Sequence, residues 1–211
     1  LVEPELAARL WMGTFHSVFY RILRAEAEAI GFKPSFTIYD TSDSKSLIKN
    51  ILKDKALDEK QYKPSSVLAV ISRAKNRLVR PEDYVRSTQC LRADAAMNMP
   101  RVAEVYQEYC DRCRQSNVMD FDDLLLYTYL LFRDHPDICE RYRNRFAYLL
   151  VDEYQDTNYA QHAIIWQLAG GHQHICVVGD DAQSIYSFRG AEIENILGFT
   201  KQYDQARIFK L

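Results

Sequence analysis

Phe146-Ala-Tyr-Leu-Leu-Val-Asp-Glu-Tyr-Gln-Asp-Thr-Asn158 sets a nearly unbroken apolar run directly against an acidic one. Runs of this kind are strands of a parallel sheet buried on both faces. In open α/β sheets the ligand site lies beyond the carboxyl ends of such strands. His174-Ile-Cys-Val-Val178 has the same character and ends in Gly179-Asp180-Asp181. Between the two runs, Thr157 or Asn158 can cap a helix that carries Ile164, Ile165 and Leu168 and stops at Gly170-Gly171. Strand, helix, strand predicts a right-handed parallel crossover.

Outward from this unit, Leu10-Trp-Met12 is a third strand candidate. It runs into Gly13-Thr-Phe-His-Ser17 and then a helix with Val18, Phe19, Ile22 and Leu23 inward. Ala206 to Leu211 reads as the start of a further strand. From Lys33 to Asn117 only helical patterning with polar joints is visible. Asp43 or Ser44 opens one helix, Pro64-Ser-Ser66 a second and Pro100 a third; Asp120 to Phe132 and Pro136 to Arg145 follow. The expectation is an α/β domain, residues 1–32 and 118–211, interrupted by an all-helical insertion, residues 33–117.

Chemistry concentrates in three strings. Asp152 and Glu153, a carboxylate pair at a strand tip, suit a site that holds Mg²⁺ and orients water, because like charges this close favour a cation between them. A solvated acidic turn is the plainer alternative, and the full string to Asn158 weighs against it. In Val177-Val-Gly-Asp-Asp-Ala-Gln-Ser-Ile-Tyr-Ser-Phe-Arg-Gly-Ala191, Gly179 permits a sharp turn and Gln183 can bond a phosphate oxygen without adding charge. There Tyr186, Phe188 and Arg189 interleave aromatic faces with a cation, a set that suits single-stranded nucleic acid; core packing is the alternative for the aromatics. Thr14-Phe-His-Ser17 lies at a strand-to-helix junction where Thr14, Ser17 and free N–H groups could hold a phosphate, or Thr14 could simply cap the helix.

Bulk composition narrows the classes. A net charge of −2 gives no global basic field, so nucleic-acid contact must come from local patches. Five scattered cysteines argue for reduced thiols in a cytoplasm rather than a disulfide framework. The longest apolar run, Leu124 to Phe132, is far short of the ~20 residues of a membrane helix. Cys110 and Cys113 lie in a helical pattern without a second Cys/His pair, so they read as structural thiols rather than zinc ligands. Arg73, Lys75, Arg77 and Arg80 form a local basic cluster: a solvated helix face, with duplex contact as the functional alternative.

Thr14-Phe-His-Ser17, Asp152 to Asn158 and Gly179 to Ala191, in this order, resemble the UvrD/Rep/PcrA branch of superfamily 1 DNA helicases. Met119-Asp-Phe-Asp-Asp-Leu124 and Ser72-Arg-Ala-Lys-Asn76 look like that branch too. The resemblance implies part of a RecA-like, P-loop NTPase-type first motor domain with its helical insertion. It also implies ATP and Mg²⁺ as cofactors, 3′→5′ translocation on single-stranded DNA, and partners among single strands and their junctions with duplex. By the same resemblance Asp152 holds Mg²⁺ and Glu153 is the general base. Gln183 senses the γ-phosphate, and Arg189 couples the two sites. Tyr186 and Phe188 stack on bases, while Thr14, Phe15 and His16 touch the strand. Phe188 departs from the Trp frequent in relatives, which puts the strength of that base contact in question.

The seven glycines never form Gly-x-x-x-x-Gly-Lys-Ser/Thr, and the resemblance implies that the phosphate loop and the arginine-bearing second motor domain lie outside this chain. The expectation is therefore an internal, monomeric fragment, inactive alone. A non-catalytic nucleic-acid-binding module is the second reading, and a nuclease using Asp152, Glu153, Asp180 and Asp181 the third.

Overall fold

The computed structural model describes residues 10–180, 194–203 and 206–209. Helix α1 (Phe15–Ala25) begins where Gly13 turns the chain at φ +149°, and Thr14 caps it by accepting from Ser17 N at 3.3 Å. A Cβ on Gly13 would stand 2.4 Å from Ser17 Oγ, which reserves the turn for glycine. Phe19, Ile22 and Leu23 form the buried stripe. A 3-10 turn (Ala27–Ile30) then leads to strand β1 (Thr37–Tyr39).

β1 corrects the expectation of helices alone between Lys33 and Asn117. It pairs in parallel with β2 (Val118–Asp120), Ile38 opposite Met119. Three residues are too few to show an alternating pattern. The pairing is secured from a distance instead, by Lys33 N donating to Asn117 Oδ1 at 2.8 Å and Thr37 N to Asn117 O at 3.1 Å.

Helix α2 (Thr41–Asp54) opens on Asp40 rather than Asp43 or Ser44. Asp40 Oδ1 accepts from Asp43 N at 2.8 Å and Asp43 Oδ2 from Asp40 N at 3.1 Å, a reciprocal cap. Pro64 occupies the first turn of α3 (Pro64–Asn76). The short helices α4 (Pro81–Tyr84) and α5 (Thr88–Ala96) follow; α5 buries only Asp94, so its sequence shows no apolar stripe. Helix α6 (Val102–Gln115) leads into β2, and α7 (Phe121–Asp134) opens on Asp120 with the same reciprocal cap to Asp123. Next come α8 (Pro136–Arg145), β3 (Leu149–Val151), a 3-10 turn (Tyr154–Asp156) and α9 (Tyr159–Ala169), capped by Asn158. Last are β4 (Ile175–Val177), α10 (Glu194–Leu197) and α11 (Phe199–Gln202).

β3 and β4 pair in parallel, Leu150 opposite Cys176, so the strand–helix–strand unit stands where the apolar runs placed it. The strands are shorter than the runs, and Phe146 ends α8 instead. Burial on both faces is also corrected. Leu149 leans on the helices, whereas Leu150 is 80% exposed and Cys176 faces out, because the described residues cover one face of this pair. Leu10 to Met12 is irregular rather than a strand. Trp11 is held instead by the rings of Tyr142 and Phe146 and by the Arg21 guanidinium 4.0 Å from its centroid. Ala206 to Phe209 forms no strand either, and Ile208 and Phe209 are exposed.

Among the described residues the chain is mixed α/β, with two short parallel sheets and two apolar clusters. One cluster joins α1, α7, α8 and α9 through Phe19, Ile22, Leu23, Leu124, Leu131, Ile138, Ile164 and Leu168. The other joins α2, α3 and α6 through Ile48, Ile51, Val67, Ile71, Tyr106 and Tyr109. Among the described residues no helix is long and apolar enough to cross a membrane.

Candidate functional site

The two β3–β4 strand tips face one another across Gln155. Leaving β3, Asp152 and Glu153 are exposed, and Glu153 takes the left-handed conformation at φ 51°. That conformation is uncommon for a side chain with a Cβ, and local bonds hold it here. Glu153 N donates to Asp152 Oδ1 at 3.0 Å, and Gln155 Nε2 donates to Glu153 Oε2 at 2.7 Å. The other end of the same amide, Gln155 Oε1, accepts from Asp180 N at 3.2 Å, beyond the end of β4. Gly179 makes room for this: a Cβ there would lie 2.4 Å from Gln155 Oε1. Neither Asp152 nor Glu153 forms an ion pair among the described residues, and none of those residues builds a cage of three or more His, Cys, Asp or Glu.

The segment that follows is pinned on both sides. Asn195 Nδ2 donates to Thr157 O at 3.0 Å and to Thr157 Oγ1 at 3.3 Å. Asn158 Oδ1 caps α9 by accepting from Gln161 N at 2.9 Å, and Asn158 Nδ2 donates to Asn76 Oδ1 at 2.6 Å.

A second surface lies at the start of α1. Thr14 serves as the helix cap, and Phe15 is half-buried against Phe19, 5.8 Å between ring centroids. The His16 ring meets Phe121 edge-on at 5.9 Å. Burial lowers the His16 pKa, against the opposing pull of the Asp122 charge and the Phe121 backbone. Phe121, the first residue of α7, is 54% exposed between acidic neighbours. It carried no role in the sequence reading. The available signal was a large aromatic residue at the first position of α7, set among Asp120, Asp122 and Asp123.

The local basic cluster is not one surface. Lys75 is fully buried, its Nζ 2.7 Å from both Asp120 Oδ2 and Asp123 Oδ1 and 4.9 Å from the Tyr109 ring centroid. Tyr109 O–H also donates to Asp120 Oδ2 at 2.8 Å. Burial works against the Asp120 charge, and Lys75 outweighs it, so the Asp120 pKa falls. Burial and the Asp120 charge push Asp123 up to about 7 in spite of Lys75. Arg80 is paired with Glu82 and Asp83, leaving Arg73 and Arg77 as the exposed cations of the four. Cys110 and Cys113 are free thiols inside α6, and burial pushes Cys113 up to about 12. Gln183, Tyr186, Phe188, Arg189 and Asp181 lie outside the described residues.

With this geometry in place, the UvrD/REP helicase N-terminal domain matches residues 1–204. The chain belongs to the UvrD/REP helicase family. It is 44% identical over all 211 residues to the ATP-dependent DNA helicase PcrA of Leuconostoc citreum, of which it covers 27%. It is also 44% identical over 202 residues to PcrA of Bacillus subtilis (strain 168), 96% of this chain and 26% of that protein. The PcrA of a Staphylococcus epidermidis strain is 43% identical over 203 residues, with 27% of its length covered. The chain thus spans about a quarter of the relatives it matches, and in this UvrD/REP member Asn158 and Asn76 tie the acidic strand tip to α3.

Proposed function

We propose that the chain is part of the first, RecA-like motor domain of an ATP-dependent DNA helicase, with residues 33–117 as its helical insertion. The observation that carries this is the exposed Asp152–Glu153 pair at the tip of β3, tied through Gln155 to the backbone at the tip of β4. Membership of the UvrD/REP family supports it. The donor set fits Mg²⁺: one or two carboxylates without a protein cage leave the remaining positions to water and phosphate oxygens. When bound, ATP with Mg²⁺ supplies the phosphoryl group and the charge neutralisation that its transfer needs. Asp152 would hold the ion. Glu153 takes a proton from the attacking water, and Gln155 keeps its carboxylate turned toward the β4 tip. Gln183 and Arg189 read the γ-phosphate state and pass it to the DNA side.

On that side, His16 and Phe121 present aromatic surface to single-stranded bases, and Thr14 and Phe15 frame the helix start; Tyr186 and Phe188 are further base-stacking residues by their aromatic character. Base–aromatic stacking tolerates any sequence, as a translocating motor requires. Translocation is 3′→5′, and the phosphate loop and second motor domain lie in other parts of the full-length protein, so this chain alone is inactive. The test is Glu153→Gln in the full-length protein. ATP turnover should be abolished with nucleotide affinity retained, and persistent hydrolysis removes Glu153 from this role.

A further inference from the structure

One side-chain amide joins the two surfaces described above. Asn76, the last residue of α3, accepts from Asn158 Nδ2 at 2.6 Å and donates to Asp122 Oδ1 at 2.8 Å and to Ser72 O at 2.9 Å. Its direction is not free. Asn158 Oδ1 is committed to the α9 cap, so only its Nδ2 can face α3. Asn76 must therefore show its oxygen to Asn158 and its nitrogen to Asp122, whose carboxylate only accepts. Asp122 directly follows the exposed Phe121, and its charge is felt by His16. Asn158 closes the string that begins at Asp152. Lys75, beside Asn76, is locked between Asp120 and Asp123, so α3 cannot shift independently of the α7 amino terminus.

We propose that Asn76 is a positioning residue that carries DNA occupancy at the Phe121–His16 surface to the acidic string through the line Asp122–Asn76–Asn158. The proposal rests on the helicase reading above and adds a connection that does not involve Gln183 or Arg189. Physically the line is a set of aligned, charge-terminated hydrogen bonds between α7, α3 and α9. Displacing Asp122 when a base packs on Phe121 pulls the cap of α9, and with it the backbone that carries Glu153.

The test uses Asn158→Asp in the full-length protein. The new carboxylate keeps the α9 cap but sets a second acceptor against Asn76, whose single amide cannot satisfy it and Asp122 together. DNA-stimulated ATP turnover should fall about tenfold, the worth of one hydrogen bond to a charged group. Turnover without DNA and the KM for ATP should hold. Adding Asp122→Asn reverses the polarity of the whole line and should restore the stimulation. Without nucleotide, single-stranded oligonucleotide should slow amide exchange across residues 152–158 in the wild type and in the double variant, and not in Asn158→Asp.

Stimulation that stays within about twofold of wild type, the scale of a neutral surface change, overturns the proposal. Equal losses with and without DNA also overturn it, since they mark a merely structural bond. If Asn158→Asp fails to fold, the double variant decides: a folded, unstimulated double variant overturns the proposal. A wild-type protein whose turnover ignores DNA would instead sink the helicase reading beneath it.

Discussion

Lys75 shows how far a residue's place in the chain differs from its place in the fold. In sequence it is one of four cations within eight residues. In the structure its partners Asp120 and Asp123 are 45 and 48 positions away and buried with it. No local pattern names such partners, so this network was illegible, whereas the place of Asp152 and Glu153 at a strand tip was legible because that setting is local. Removing one member of a buried pair leaves the others uncompensated. Lys75→Met should therefore destabilise the chain by about 3–5 kcal/mol in urea unfolding; a loss near zero would show that the carboxylates are satisfied without it. Phe121 tests the other surface. In the full-length protein Phe121→Ala should weaken single-stranded DNA binding by about 1–3 kcal/mol, measured by fluorescence anisotropy at fixed salt, because one stacking platform is lost. Unchanged affinity would remove Phe121 from the DNA surface.

Among elements, the long amphipathic helices were readable and the short strands were not. The apolar positions of α2, α3 and α6 recur with helical spacing, and two of the caps were displaced only from Asp43 or Ser44 to Asp40 and from Pro100 to Arg101. β1 escaped because three residues cannot display a period of two, and Leu10 to Met12 misled because apolar character alone does not supply a neighbouring strand. The strand–helix–strand unit has a pH dependence of its own. On α9 the His162 Nδ1 lies 2.7 Å from the Tyr154 hydroxyl, and burial lowers the His162 pKa below its usual 6.5. Burial raises the Tyr154 pKa, so its hydroxyl stays protonated and shares one hydrogen bond with a neutral imidazole. As pH falls below about 6.5 the unfolded chain takes up a proton before the folded one, so stability falls toward acid. His162 thus contributes a fall in melting temperature from neutral to mildly acidic pH, opposed by Asp123, whose carboxyl, pushed up to about 7, takes up its proton in the folded chain first. His162→Gln keeps an acceptor for Tyr154 and should raise the melting temperature at mildly acidic pH relative to neutral, compared with the wild-type profile, His16 acting in the sense of His162 and Asp123 in the opposite one. An unaltered slope would mean that His162 does not titrate with unfolding.

At the scale of the molecule, two apolar clusters meet at β1–β2 and at the Lys75 network, and Asn76 bridges the acidic string to the α7 amino terminus beside that seam. The order of the three strings made the family legible. The layout of the second cluster was not, because it depends on α3 packing against α2, α6 and α7 far along the chain. Assignment of this framework to a motor that moves on one DNA strand turns on strand displacement by the full-length protein, given ATP, Mg²⁺ and a duplex bearing a single-stranded tail on either its 3′ or its 5′ side. The expected result is ATP-dependent displacement of the 3′-tailed duplex with both strands intact. Tight binding without displacement would contradict it in favour of a non-catalytic binding module, and cleaved strands would contradict it in favour of a nuclease.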